Sequence, residues 1–104
     1  HVALIAERMD GRIPVGVGRY IVCETGPSRA AEIAFAVDEA HHGLGIATIL
    51  LQHLVHIGRA AGIAEFRASV LAGNHKMLGV LANCGLQQSR STARGVVHVR
   101  LFLS

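Results

Sequence analysis

The stretch AFAVDEAHHGLGIATILLQHL, residues 34–54, constrains the fold more than any other part of the chain. It starts as a short apolar segment, passes through Gly43 and Gly45, and continues as an apolar run in which Ile46, Leu50, Leu54, Ile57 and Ala61 recur every three or four positions. That spacing predicts a helix over 46–61, with Gly62 as its terminator. A strand, a glycine-rich turn and a helix in this order predict a βαβ unit with its ligand crevice at the carboxyl end of the strand.

The residues before the glycine-rich turn predict an antiparallel meander of three strands, 2–8, 13–24 and 31–37. The first two are rich in β-branched residues and flank Asp10-Gly11, a favoured hairpin turn. In the third, alternation predicts two faces, one with Ile33, Phe35 and Val37 and the other with Glu32, Ala34 and Ala36.

The residues after the first helix predict a strand over 64–71, a second helix over 75–84 with Asn74 as its N-cap, and a last strand over 95–103. For the polar segment 87–94 the sequence leaves two structures open, a loop and a short hairpin partner. The predicted fold is a single α+β domain over residues 1–104 with a mixed sheet, in the order β-β-β-α-β-α-β.

Composition narrows the class of protein. With 51% hydrophobic and 16% charged residues among 104, the chain is too apolar to be disordered and has room for one core. The net charge of +3 is spread along the chain and only 4% of residues are aromatic, which argues against a nucleic-acid partner. No apolar run is long enough to span a membrane. Cys23 and Cys84 are predicted to be buried, reduced thiols, which favours the cytoplasm.

The glycine-rich turn predicts an anion site. Without side chains at positions 43 and 45, backbone N–H groups at the positive end of a helix can approach a phosphate or pyrophosphate. The Gly-Lys-Ser/Thr ending of a P-loop is missing. A dinucleotide fingerprint would need a third glycine where Thr48 stands, and it stays open as an alternative.

The same residues resemble the acetyl-CoA loop of the GNAT superfamily of N-acetyltransferases, in which Gln or Arg is followed by two residues, Gly, one residue, and Gly or Ala. The segment HGLGIA, residues 42–47, matches this pattern except at its first place, where His42 stands. The longer stretches IAFAVDEAHHGLGIATILLQHLVHIGRAAGI and FRASVLAGNHKMLGVLANCGL are similar to the strand, loop and long helix of that superfamily and to its next strand and helix. Within the superfamily, AEIAFAVDEAHHGLGIATILLQHL and the final GVVHVRLFL resemble the GNAT domain of bacterial protein-lysine acetyltransferases.

The resemblance implies acetyl-CoA as the cofactor. Backbone N–H groups from Gly43 to Thr48 would bind the pyrophosphate, and strand residues 35–37 would pair with the pantetheine arm. The N–H of Phe35 or Val37 would then polarise the thioester carbonyl. The implied cofactor-binding residues are Phe35, Ala36, Val37, His42, Gly43, Leu44, Gly45, Ile46, Ala47, Thr48 and Asn74.

The implied reaction is transfer of an acetyl group to a primary amine, on a protein lysine or a small molecule. Glu32 matches the glutamate of similar lysine acetyltransferases and is the candidate general base; the alternative is a solvated strand residue, with or without a nearby arginine as its partner. Leu81 stands where many members have the tyrosine that acts as general acid, and Tyr20 is a poor substitute. A non-catalytic module that binds or senses acyl-CoA, or dimerises, is therefore the alternative function.

The resemblance also implies that the strand and two helices that usually open the fold are missing. A second copy of the chain, or a fused regulatory or acyl-CoA-synthetase-like domain, is the expected partner. The seven histidines show no zinc motif, so no metal is expected. His53, within the apolar stripe of the first helix, is expected to be a core histidine with a hydrogen-bond partner.

Overall fold

The structure is a computed structural model, which describes residues 1–7, 14–37 and 45–104. The described chain forms eight elements, in the order β1 (Val2–Glu7), β2 (Pro14–Glu24), β3 (Arg29–Val37), α1 (Ile46–Ala60), β4 (Ile63–Leu71), α2 (His75–Ala82), β5 (Gln87–Ala93) and β6 (Val96–Phe102). The polar segment that the sequence left open is a strand, β5, which adds one element to the seven predicted. The hairpin turn predicted at Asp10-Gly11 lies outside the described residues.

The six strands form one mixed sheet in the order β1-β2-β3-β4-β6-β5. Neighbouring strands are antiparallel except β3 and β4, which are parallel. Parallel neighbours cannot be joined by a tight turn and need a crossover connection. Helix α1 supplies that connection, so the predicted βαβ unit is confirmed.

One face of the sheet packs against both helices. We call it the core face; its buried residues include Ile33 of β3, Phe66 of β4 and Val99 of β6. Leu54 of α1 and Leu81 of α2 belong to the same cluster and are fully buried. Each such side chain contributes about 1.5–3 kcal/mol when it leaves water. Alternation along β3 places Ile33, Phe35 and Val37 on this face as predicted.

The buried side of α1 differs from the predicted stripe. Its buried residues are Leu50, Leu51, Leu54, Val55 and Gly58. A Cβ on Gly58 would lie 2.8 Å from Cζ of Phe66, so the helix packs closely on the sheet where it has no side chain. The buried side includes Leu51 and Val55, which the predicted stripe did not contain, and His53 is exposed. The prediction of a core histidine is wrong.

No helix of the described chain covers the opposite side of the sheet, which we call the open face. It bears Glu32, Arg67 and Ser69.

A cluster of ion pairs lies on the open face. Arg67 donates from Nε to Oε2 of Glu65 at 2.8 Å and from Nη1 to Oε1 of Glu24 at 2.9 Å. Arg100 donates from Nε and Nη2 to the two oxygens of Glu65, each at 2.9 Å. These contacts join β2, β4 and β6 across the sheet.

The hydrogen bonds from Arg100, together with the one from Arg67, lower the pKa of Glu65 from 4.5 to about 2. A carboxyl with a lowered folded-state pKa stabilises the fold above its unfolded pKa and loses that effect as the pH falls through the folded pKa. We therefore expect the free energy of unfolding to drop between pH 5 and pH 2, with about 1–2 kcal/mol of the drop due to Glu65 after allowance for solvent screening.

Urea unfolding of the wild type and of Glu65→Gln at a series of pH values measures this share. The variant should be less stable at pH 6 and should lose less stability on acidification. If the two pH curves run parallel, the ion cluster does not contribute in this way.

Cys23 is exposed and Cys84 half-buried, and both are free thiols. The prediction of burial is therefore wrong for Cys23. It lies in β2 beside the register shift between Val22 and Glu24 in the pairing with β3. A local irregularity of this kind changes which side chains face the core, and alternation in the sequence does not reveal it.

Candidate active site

Strands β3 and β4 are paired only over the first half of their length. Their parallel pairing runs from Arg29 with Ile63 to Glu32 with Arg67. Beyond that point β3 continues to Val37 and β4 to Leu71, and β4 stays paired with β6. The sheet therefore opens into a gap between two strands that both remain regular.

The gap encloses about 150 Å³ and is lined by Ile33, Ala34, Phe35, Ala68, Ser69, Val70, Asn74, Met77 and Leu81. No strand of the described chain pairs with residues 33–36 on this side. Main-chain groups at a free strand edge can hydrogen-bond an extended ligand, which then lies like an added strand. The gap is thus suited to a narrow, extended, amide-bearing chain.

A larger cleft of about 570 Å³ adjoins the gap and shares Phe35, Asn74 and Met77 with it. It extends to the first turn of α1. There Gly45 is the N-cap in the left-handed conformation, with φ 76° and ψ 14°, and no side chain caps the helix. The first N–H groups of a helix have no partner within it and carry the positive end of its dipole. This end of the cleft is therefore suited to an anion.

The predicted cofactor-binding residues that the structure describes all line this cleft: Phe35, Ala36, Val37, Gly45, Ile46, Ala47, Thr48 and Asn74. His42, Gly43 and Leu44 lie outside the described residues. Residues 35–37 at the end of β3, residues 45–48 at the start of α1 and the N-cap residue of α2 thus meet around one cleft.

Asn74 has the capping role that its sequence position predicts. Its Oδ1 accepts a hydrogen bond from the backbone N–H of Met77 at 3.2 Å. The residue also borders both the gap and the cleft. The cap orients the first turn of α2 toward the volume that the two share.

Sequence reasoning missed three residues of the cleft, Lys76, Met77 and Val80. All three come from α2, where positions i, i+1 and i+4 lie on adjoining parts of one helical face. The signal was available once Asn74 was taken as both cap and ligand, because the turn that follows must face the same volume. Lys76 is the single lysine of the chain and brings a positive charge to the cleft.

Glu32 is the last residue of β3 that pairs with β4, so it stands where the gap begins. Its side chain is exposed on the open face. The residue opposite is Arg67, whose guanidinium donates to Glu24 and Glu65. Within the described chain no hydrogen bond or ion pair joins the Glu32 carboxylate to another residue. No arginine among these residues pairs with Glu32, and its exposed position fits a solvated strand residue as well as a general base.

Leu81 is fully buried and lines the gap from the side of α2. Tyr20 is also buried, with its ring centroid 5.4 Å from that of Phe66, and it lines neither cavity. Neither residue can donate a proton inside the gap.

Over residues 1–7, 14–37 and 45–104, no group of three or more His, Cys, Asp or Glu side chains is placed to hold a metal ion. In the same ranges no helix is both long and apolar enough to cross a lipid bilayer.

Comparison with known proteins gives consistent matches. The sequence profile of the acetyltransferase (GNAT) family matches residues 1–86. An acetyltransferase of Pseudomonas aeruginosa is 30% identical over 101 residues, which cover 93% of this chain and 52% of that protein. The chain thus spans about half the length of this curated relative.

Two solved structures share the fold. The GNAT domain of PAT from S. lividans is 37% identical, with a TM-score of 0.82 over 96% of this chain and 59% of that one. The protein yncA from Salmonella typhimurium, whose structure contains its cofactor acetyl-CoA, is 18% identical, with a TM-score of 0.79 over 98% of this chain and 64% of that one.

Proposed function

The chain belongs to the GNAT family of acetyltransferases, and we propose that it transfers an acetyl group from acetyl-CoA to a primary amine, on a protein lysine or a small molecule. The observation that carries the proposal is the gap between β3 and β4, which adjoins a cleft that ends at the uncapped first turn of α1. An extended chain would lie in the gap and an anion at the helix end.

Acetyl-CoA has the chemistry that this volume requires. Its pyrophosphate would accept hydrogen bonds from the N–H groups that follow Gly45, with Lys76 adding a positive charge. Its pantetheine arm carries two amides, which would hydrogen-bond the edge of β3 beside residues 35–37. The thioester would then lie in the gap near Ile33 and Ala68.

Glu32 would act as the general base. An amine that approaches from the open face reaches the gap beside this carboxylate. A lysine side chain has an ordinary pKa of about 10.4, so it must lose a proton before or during attack. The Glu32 carboxylate would accept that proton, and a backbone N–H of β3 would stabilise the oxyanion that forms on the thioester carbonyl.

The acceptor would be a protein lysine that reaches the site from the open face. A protein lysine suits an open face that no helix of the described chain covers, since a folded or flexible protein can reach Glu32 there. A second copy of the chain or a fused regulatory or acyl-CoA-synthetase-like domain is the proposed partner, and the cytoplasm the proposed location.

A non-catalytic module that binds or senses acyl-CoA is the second candidate. The observation that favours it is Leu81, which lines the gap at the position where many acetyltransferases have a tyrosine as general acid.

Two measurements separate these functions. Acetyl-CoA is titrated by calorimetry, and the release of the CoA thiol is followed with lysine peptides and small amines, with mass spectrometry of the amide product. Binding with amine-dependent thiol release supports the transferase. Binding without it would favour the second candidate, and absence of binding at millimolar acetyl-CoA would exclude both.

A further inference from the structure

Transfer of the acetyl group leaves a CoA thiolate, which becomes the free thiol by taking up a proton. When the amide forms, the bond between the acetyl carbon and the CoA sulfur breaks, and the sulfur leaves as a thiolate. Among the described residues around the gap, Ser69 is the one that carries a hydroxyl. The others are aliphatic or aromatic, apart from the thioether of Met77 and the amide of Asn74, and none of these is an acid at neutral pH.

We propose that Ser69 donates the proton to the departing thiolate, with His98 behind it as the residue that positions and reprotonates its hydroxyl. This inference rests on the proposed acetyl transfer and assigns to the reaction a catalytic residue, Ser69, and a positioning residue, His98.

The placement of these two side chains supports the assignment. Ser69 and His98 are directly opposite each other in the antiparallel pair of β4 and β6. Oγ of Ser69 lies 3.2 Å from Nδ1 of His98, within hydrogen-bonding distance. Ser69 lies two residues beyond Arg67, the residue opposite Glu32, so its side chain is on the same face as that carboxylate. Base and acid therefore stand on the two strands that border the gap.

Each proton and bond in the proposed transfer is accounted for by a named group. Glu32 accepts a proton from the attacking amine, the nitrogen–carbon bond forms, and the carbon–sulfur bond breaks with its electron pair on sulfur. The Ser69 O–H gives its proton to that sulfur, and the serine oxygen takes a proton from Nδ1–H of the His98 imidazolium. The products are the amide and the free thiol, and His98 regains a proton from water through its exposed ring.

In this assignment the Ser69 hydroxyl stands between the His98 ring and the departing thiolate. A hydroxyl between them can pass the proton without ionising, because it accepts one proton as it gives up another.

The neighbours of His98 on the open face leave its ring free for this role. Ser91 lies opposite it on β5. The charged residues nearest in register are Arg67 on β4 and Arg100 on β6, and both donate hydrogen bonds to Glu65. Their positive charges are thus balanced in part by that carboxylate.

The test compares Ser69→Ala and Ser69→Thr with Ser91→Ala. The control removes an exposed hydroxyl that also faces His98 in register but does not line the gap. We expect Ser69→Ala to lower kcat by about 10- to 100-fold, because proton donation is lost, with the acetyl-CoA Kd unchanged. Ser69→Thr, which keeps the hydroxyl, should recover most of kcat, and Ser91→Ala should match the wild type.

The role of His98 is tested with a single variant and with a double variant that also lacks the Ser69 hydroxyl. His98→Gln should lower kcat, and the double variant with Ser69→Ala should be no slower than Ser69→Ala alone, since residues that act as a unit are not additive. Thermal unfolding of each variant verifies that the fold is retained.

Three outcomes would overturn the inference. Equal kcat in Ser69→Ala and Ser91→Ala would mean that water protonates the thiolate. A rise in the acetyl-CoA Kd that accounts for the whole loss would make Ser69 a binding residue. Wild-type protein that binds acetyl-CoA without releasing thiol to any amine would end this inference together with the proposed transferase function, whereas the first two outcomes leave that function intact.

Discussion

Glu32→Gln is expected to lower kcat for amine acetylation by about 10²- to 10⁴-fold while the Kd for acetyl-CoA stays unchanged. Glutamine keeps the size and shape of the side chain but cannot accept the proton that the attacking amine must lose. The side chain is exposed, and no described residue hydrogen-bonds to it, so the substitution should leave the fold intact. Initial rates at saturating acetyl-CoA, together with calorimetry, separate the two constants.

The matched control is Glu24→Gln. Glu24 is an exposed carboxylate on the neighbouring strand β2, where it accepts a hydrogen bond from Arg67. Its loss should change kcat by no more than about twofold, because Glu65 still holds Arg67 away from Glu32. Similar losses in both variants would mean that general electrostatics of the open face set the rate and that Glu32 is not the base. A parallel loss of acetyl-CoA affinity in Glu32→Gln would also contradict the proposed role.

Gly45→Ala is expected to weaken acetyl-CoA binding by at least about tenfold and to cost about 1–2 kcal/mol of stability. Position 45 has φ 76°, a left-handed conformation that alanine adopts only with strain. Among the described residues beyond its chain neighbours, no atom lies within 4 Å of where the new Cβ would stand, so the expected effect is one of backbone strain. To relieve the strain the backbone must rotate, and the N–H groups of the first turn of α1 then no longer point at the pyrophosphate.

Gly62→Ala separates the two effects. Gly62 follows the other end of α1, also has a left-handed φ, 80°, and also has open space around the position of a Cβ. It does not line the cleft. Both variants should therefore lose similar stability in urea unfolding, but only Gly45→Ala should lose acetyl-CoA affinity by calorimetry. Unchanged affinity in Gly45→Ala would show that this helix end does not bind the anion.

Local patterns in the sequence predicted most of the fold. Alternation at Ile33, Phe35 and Val37 determined which face of β3 meets the helices, because side chains along a strand point to opposite faces in turn. The spacing of apolar residues after Gly45 predicted α1, and Asn74 predicted the start of α2. Residues 35–37, 45–48 and 74 were likewise assembled correctly around one cleft. The family resemblance had already grouped them, and the βαβ order brings them to one edge.

The failures come from contacts that local patterns do not describe. The position of His53 depends on which side of α1 packs on the sheet, and the packing of Gly58 against Phe66 is part of that contact. For residues 87–94 the polar composition left a loop and a short hairpin partner both open, and the structure has the hairpin partner, β5. It is a strand because it pairs with β6 along its whole length, with Gln88 Nε2 donating to the carbonyl of Leu81 at 3.0 Å.

The sequence by itself predicted the parts of the proposed site: a strand, a glycine at a helix start, a capping asparagine and the carboxylate of Glu32. Only the tertiary structure decided how these parts can work. Pairing of β3 with β4 stops at Glu32, so the gap opens there. Arg67 is held by residues from β2 and β4, which leaves the Glu32 carboxylate without that arginine. Ser69 meets His98, 29 residues away. Strand order and register set all three, because they bring together residues that no short-range pattern links.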